Sequence, residues 1–290
     1  MSSLANRIHT VDHRHEPDSW RMDSLVPSAT LSPFMRRATA YTVQGAGLSR
    51  QRELPNGSAV LVFNLGSELR VEDAAGKLHR FPHPTAFYSG PSDRYVVTET
   101  DGTQEGMVVE LTLPGARRLL GRPLNELGDR MISLADLLGR RADEILGQII
   151  EAPSPAARLA LLEAAIEARI ADAGDGGTRD LEWAWNLQHA RGGRMPVSDL
   201  ADVIGCSRKH LAVRFDREFG LSPKLLARIM RFDRAIRIVR GDQVTSWSDL
   251  AAQCGFADQA HMAREFVAFA GDPPTALLRR RLPDDGGFVD

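Results

Sequence analysis

The sequence predicts an α+β protein of more than one domain, with an antiparallel β barrel first and an all-α domain last. Three observations predict it. Between Ala38 and Pro114, short β-branched and aromatic runs alternate with turn residues. After Pro114, apolar residues recur at three- and four-residue spacing, the period of a helix face. Beyond the glycine-rich segment at 174–177 the helical part repeats itself at an offset of 50 residues. A chain of 290 residues has room for two such domains.

Taken in order, the opening MSSLANRIHTVDHRHEPDSW lacks the apolar stretch of a secretory signal and reads as a polar tail over 1–20. Strands are expected over 38–43, 58–65, 69–72, 85–88, 95–99 and 107–113, parted by turn residues such as Pro55-Asn56-Gly57 and Asp101-Gly102. Many short strands at this spacing make a barrel or sandwich, which places a β domain at 21–127. In the second strand Leu61, Phe63 and Leu65 share one face, while Val60, Val62 and Asn64 share the other. At least one face must be core. Amphipathic helices over 134–150 and 156–171 form a connector at 128–177. Their stripes suit either a second copy of the chain or packing within one chain. The remaining helices make a domain at 178–282.

Composition excludes several classes. With 43% apolar and 26% charged residues the chain is neither disordered nor fibrous. Its apolar stretches at 58–65 and 159–170 are too short or too interrupted by charge for a bilayer, which needs about 20 residues. Cys206 and Cys254 cannot build a disulfide framework. The expectation is a soluble, cytoplasmic protein with no membrane partner. Net charge is −2, unevenly spread: residues 191–281 hold 16 Lys and Arg against 10 Asp and Glu, whereas residues 1–190 hold 20 against 25. A basic C-terminal third on an acidic body suits a phosphate-bearing partner, although a solvated cationic face fits the charge alone equally well.

The repeat carries the functional reading. Ser198-Asp199-Leu200-Ala201 recurs as Ser248-Asp249-Leu250-Ala251, and Gly205 as Gly255; after one inserted residue Phe215 matches Phe266 and Gly220 matches Gly271. Each unit, at 196–220 and 246–271, reads as a short helix, a glycine turn, a second helix and a glycine stop. Ser198 and Ser248 are placed to cap the first helices and Asp258 to cap the last. Leu211 and Phe215, or Met262 and Phe266, supply the buried side of the second helix, whose other side is polar. This is the helix-turn-helix plan, in which the second helix enters the major groove of DNA. Two copies joined by one helix from Pro223 to about Arg240, about 27 Å long at 1.5 Å per residue, suit two successive major grooves.

Residues 196–278 resemble the DNA-binding domain of the AraC/XylS family of transcription regulators. The carrying stretches are GCSRKHLAVRFDREFGLSPK, RIMRFDRAIRIV and LAAQCGFADQAHMAREFVAFAGDPPTALL. The resemblance implies sequence-specific binding to double-stranded promoter DNA. It also implies a small-molecule effector or partner at a cupin-like N-terminal sensor domain, and contact with RNA polymerase where the protein activates. A homodimer is one assembly it allows. The family's base-reading positions fall at Lys209, Ala212 and Val213, and at Gln259, Ala260, His261, Ala263 and Arg264. Arg208 and Arg214 join them as DNA contacts on the first unit, because Ala212 and Val213 depart from the polar pattern. Arg194, Arg217, Lys224 and Arg228 are the expected phosphate-backbone contacts, which position the protein without specifying sequence.

Rival readings stand beside these. Arg264 could pair with Glu265 or Asp258, and the linker arginines with aspartates such as Asp233. Phe63, Phe87, Tyr88 and Tyr95 are the candidates for lining an effector pocket, and equally for filling a small barrel. A cupin-like metal-dependent enzyme with a helical appendage and a helical protein-interaction module are the alternative functions. Catalytic cupins hold metal with an HxH pair and a following glutamate; His79 and His83 do not supply it. No catalytic residue, metal site or cofactor is expected.

Overall fold

Two-residue alternation organises the N-terminal half. The structure, a computed structural model, describes residues 4–15, 18–45, 48–174, 176–241, 246–284 and 286–290. Strands β1 (Ile8–His15), β2 (Asp18–Leu25), β3 (Met35–Gln44), β4 (Ser49–Glu53), β5 (Ala59–Asn64) and β6 (Leu69–Glu72) come first. They are followed by β7 (Leu78–Phe81), β8 (Thr85–Ser89), β9 (Val96–Thr100), β10 (Thr103–Leu111) and β11 (Met131–Ser133). They form a seven-stranded sheet in the order β1-β2-β3-β10-β5-β8-β11 and a four-stranded sheet in the order β4-β9-β6-β7. Every pairing is antiparallel.

Both faces of the central strands are core. On one, Leu61, Phe63, Tyr88, Met107 and Val109 pack against helices. On the other, Phe87 meets Leu69 and Val71 of the facing sheet, with Val62, Phe81 and Val96 packed around them. The covering helices are α1 (Leu113–Leu120), α2 (Leu134–Leu138), α3 (Arg140–Glu151) and α4 (Pro155–Asp172). The helix expected over 134–150 is two helices, because Gly139 adopts φ +63° between them. The stripes of α3 and α4 (Ala142 and Ile149; Leu159, Leu162, Ile166 and Ile170) are buried inside the chain. Intrachain packing, and not a second copy, accounts for them.

The polar tail expected over 1–20 is a correction. β1 (Ile8–His15) pairs with β2 (Asp18–Leu25), and β2 pairs with β3 from Ser19↔Gln44 to Leu25↔Ala38. The ladder on β3 imposes the strand conformation on a polar sequence whose other face meets water. The expected β domain boundary at 127 also moves, since β11 at 131–133 closes onto β8.

The C-terminal helices are α5 (Arg179–Ala190), α6 (Val197–Ile204), α7 (Arg208–Phe219) and α8 (Pro223–Arg240). They continue as α9 (Trp247–Cys254), α10 (Gln259–Ala270) and α11 (Pro274–Arg279). One continuous apolar cluster runs from Phe63 through Leu119 and Leu124 to Phe215, Leu226 and Phe269, so the two halves share a core. After α11 the chain returns to the β domain. Arg52 N donates to Phe288 O at 2.8 Å, Asp290 N to Arg50 O at 3.0 Å, and Phe288 is fully buried. This return covers the open edge of β4, which would otherwise present unpaired backbone groups. Among the described residues no helix is long and apolar enough to cross a membrane.

Candidate nucleic-acid interface

Each repeat folds as its sequence requires. In the first unit α6 ends at Gly205 (φ +75°), and Ser207 caps α7 by accepting from His210 N at 3.2 Å. In the second, α9 ends at Gly255 (φ +81°), and Asp258 caps α10 by accepting from His261 N at 2.6 Å. The glycines hold a left-handed conformation that strains any residue bearing a Cβ. Ser198 and Ser248 are not the caps of the first helices. Ser198 lies inside α6 with its hydroxyl on Asp199, and Ser248 lies inside α9, which Ser246 caps.

Buried aromatics fix the recognition helices against the linker helix. Leu211, Phe215 and Phe219 anchor α7; Met262, Phe266 and Phe269 anchor α10. Phe232 of α8 touches Phe266 and Phe269 at centroid distances of 5.0 and 5.2 Å. Burying one such ring contributes about 1.5–3 kcal/mol.

With the inner sides so fixed, the outer sides are left in water. On α7 Arg208, Lys209 and Val213 are exposed and Ala212 is half-buried. On α10 Gln259, Ala260 and Arg264 are exposed, with Ala263 half-buried beside them. Arg208, Lys209 and Arg264 make no ion pair among the described residues, and Glu265 is engaged elsewhere. Val267, one turn beyond Ala263, shares this face at 49% exposure and belongs to the candidate set. Its four-residue spacing from Ala263 was the signal that would have included it.

Three expected contacts are engaged inside the protein. Arg214 makes a two-pronged ion pair with Asp180 of α5 at 2.5 and 2.9 Å, so its guanidinium serves the packing of α5 on α7. That pair holds the Asp180 carboxyl below its ordinary pKa. Arg228 pairs with Glu265 at 2.9 Å and lies over the Phe269 ring. His261 turns back: its Nδ1 accepts from Ala257 N at 3.2 Å, and its ring meets the edge of Phe256. Of the other backbone candidates Lys224 is exposed and unpaired among the described residues. Arg194 is exposed with Nε on Arg191 O, and Arg217 is exposed with Nε 3.5 Å from Glu218. Cys254 is buried, which pushes its thiol pKa up, and both cysteines are free.

The expected effector-pocket residues do not converge. Phe63 and Tyr88 fill the helix-covered core, Phe87 fills the layer between the sheets, and Tyr95 lies beneath Arg52 against the C-terminal helices. A cleft of about 580 Å³ opens elsewhere, between β3, β4, α5 and α8. Met35, Trp185, Phe232 and Ile236 line its apolar part, and Arg36, Asp233 and Arg237 its polar part. Arg36 bridges the two halves of the molecule there, reaching Asp233 at 3.1 Å. The indole N–H of Trp185, 3% exposed, is satisfied by no group among the described residues. His189 stacks on that indole, and desolvation with the charges of Arg36 and Arg237 lowers its pKa. Sequence could not assemble a cleft drawn from five separate segments.

Comparisons with known proteins agree with this division. Residues 200–280 match a family described as a helix-turn-helix domain, and residues 23–133 match a domain of unknown function, DUF6597. Comparison with curated proteins gave no match. Solved structures that align with this chain include ToxT from Vibrio cholerae O395, at 13% identity and a TM-score of 0.46 over 80% of this chain and 96% of that one. ToxT bound to (E)-4-(8-methylnaphthalen-1-yl)but-3-enoic acid gives 13% identity and a TM-score of 0.49, over 83% and 97%. A predicted oxalate decarboxylase from Thermotoga maritima aligns over 39% of this chain and 99% of its own, at 13% identity and a TM-score of 0.30. With both helix-turn-helix units in place and the family match lying over them, the chain carries a helix-turn-helix domain at its C-terminus behind an antiparallel β domain.

Proposed function

We propose that this protein is a sequence-specific, DNA-binding transcription regulator whose two recognition helices are controlled through the β domain. The observation that carries the reading is the pair of capped recognition helices, each with its aromatic side buried and its Lys209 or Arg264 side open to solvent. Lys209 and Arg264 are side chains suited to guanine O6 and N7, and Gln259 to adenine. Lys224, Arg194 and Arg217 are left for phosphates. Its place of action is that of its ligand, the chromosome in the cytoplasm. RNA polymerase is the further partner if bound DNA is activated.

Control follows from where the β domain grips. Arg117 of α1 pairs with Glu218 at the end of α7 (2.7 Å). At the end of α10, Tyr95 N donates to Phe269 O (3.1 Å), and Arg52 reaches Ala270 O (2.8 Å) and Asp272 (2.7 Å). Both recognition helices are thus held by their last turns, and the cleft lies beside the helix that joins them. A small molecule filling that cleft against Trp185 and parting Arg36 from Asp233 would shift α8 relative to both grips. The shift is limited by its differential affinity for the two arrangements.

Selection of bound fragments from random duplex DNA tests the reading. The expected result is one asymmetric motif of two segments about 10 base pairs apart, whose recovery changes when a molecule that raises the thermal stability of the protein is present. Recovery of no motif by protein of native stability would overturn it.

A further inference from the structure

The two recognition helices superimpose in sequence with an offset of 51, fixed by Phe215 and Phe266. Val213 then occupies the position of Arg264, and Ala212 that of Ala263. Lys209 answers to Ala260, and Asp216 to Val267. The side chains at the paired positions 213 and 264 have opposite chemistry. Arg264 offers a fork of donors. Val213 offers only methyl groups, and at 61% exposure it is bare in a helix whose other valine-sized and larger apolar side chains are buried. Ala212 adds a methyl beside it. Val267, at 49% exposure, does the same on α10 one turn from Arg264.

In the major groove only one base edge answers to a methyl group. Thymine presents its C5-methyl there, whereas guanine presents two acceptors and cytosine an amino donor. An exposed valine against guanine or cytosine would desolvate those groups without replacing their hydrogen bonds. We infer that α7 reads thymine C5-methyl groups through Val213 and Ala212, at the step equivalent to the one where α10 reads guanine through Arg264. The operator is therefore of unlike halves: a thymine-bearing segment under α7, and under α10 a guanine-bearing segment with a thymine contact for Val267. This rests on the DNA-binding reading and goes beyond it, since it names the bases by the side chains that meet them.

Deoxyuridine tests the inference, because it differs from thymidine by the C5-methyl alone. The site selected by the full-length protein is synthesised with deoxyuridine at one thymine at a time. The expected result is a loss of roughly fourfold in affinity at one thymine in the α7 segment, the equivalent of one buried methyl group. Val213→Ala should bind the thymine and deoxyuridine sites within a factor of about two of each other. Selection with Val213→Arg should bring guanine into that step, and Arg264→Val should remove guanine from the equivalent step of the other segment. Both positions are exposed, and thermal denaturation of each variant checks that folding is kept. A selected site indifferent to deoxyuridine throughout the α7 segment, or an unchanged motif for Val213→Arg, overturns this inference and leaves DNA binding standing. Failure to select any site overturns the DNA-binding reading and this inference with it.

Discussion

At the scale of single residues, partners decide which arginines can meet DNA. Arg214, Arg228 and Arg264 all project from the basic C-terminal third, yet the first two are held by Asp180 and Glu265 while Arg264 is open to solvent. The family resemblance favoured Arg264 as a base-reading position. Sequence could not exclude Arg214, because Asp180 stands 34 residues upstream, and the Arg228–Glu265 pair spans 37 residues. Arg264→Ala is expected to weaken binding to a selected site by about 1–3 kcal/mol and to relax preference at one base pair. Lys224→Ala is expected to weaken all sequences alike. Titrations on selected and scrambled duplexes check both, and equal losses on the two duplexes for Arg264→Ala would remove its base-reading role.

At the scale of elements, legibility followed how much each position demands. The helix-turn-helix units could be read because turns, caps and buried rings each require particular residues at fixed spacing, as Gly205, Asp258 and Phe266 do. The β1–β2 pair and β4 could not. The sequences IHTVDHRH and SRQRE carry little apolar alternation, and their strand conformation comes from backbone ladders, β1 to β2 and β4 to β9. The two glycine turns also differ from each other. A Cβ at Gly205 meets nothing within 4 Å, whereas one at Gly255 meets the Arg194 stem at 2.7 Å. Gly205→Ala is therefore expected to destabilise by about 1–2 kcal/mol through its backbone conformation alone. Gly255→Ala should lose more, because the Arg194 stem must also move. Urea denaturation of the two variants checks the order, and a larger loss at Gly205 would contradict it.

At the scale of the whole molecule, the returning C-terminal segment binds the β half to the helix-turn-helix half. Asp290 accepts from Arg52 at 2.8 Å, and Arg52 reaches on to Asp272 beside α10. The charges of Arg52 and Arg50 and their hydrogen bonds lower the Asp290 carboxyl pKa from its ordinary 3.8. A carboxylate with a lowered folded-state pKa contributes stability that is present above about pH 4 and lost as pH falls through the folded value. Asp290→Asn should thus lower the urea midpoint by a constant amount between pH 5 and 8, and the difference from wild type should close at more acid pH. A difference that persists unchanged into strong acid would locate the effect in packing, not charge.

The central claim is that the open sides of α7 and α10 grip one DNA duplex together. The affinity of the full-length protein for its selected site, measured as salt is raised from 50 to 200 mM, tests it most directly. A protein making 6–10 phosphate contacts is expected to lose about 10³–10⁵ in affinity over that range. The loss should be steeper than for a duplex carrying either segment alone. A salt response no steeper on the full site than on one segment would mean that the two helices do not act on the same duplex, and would contradict the account.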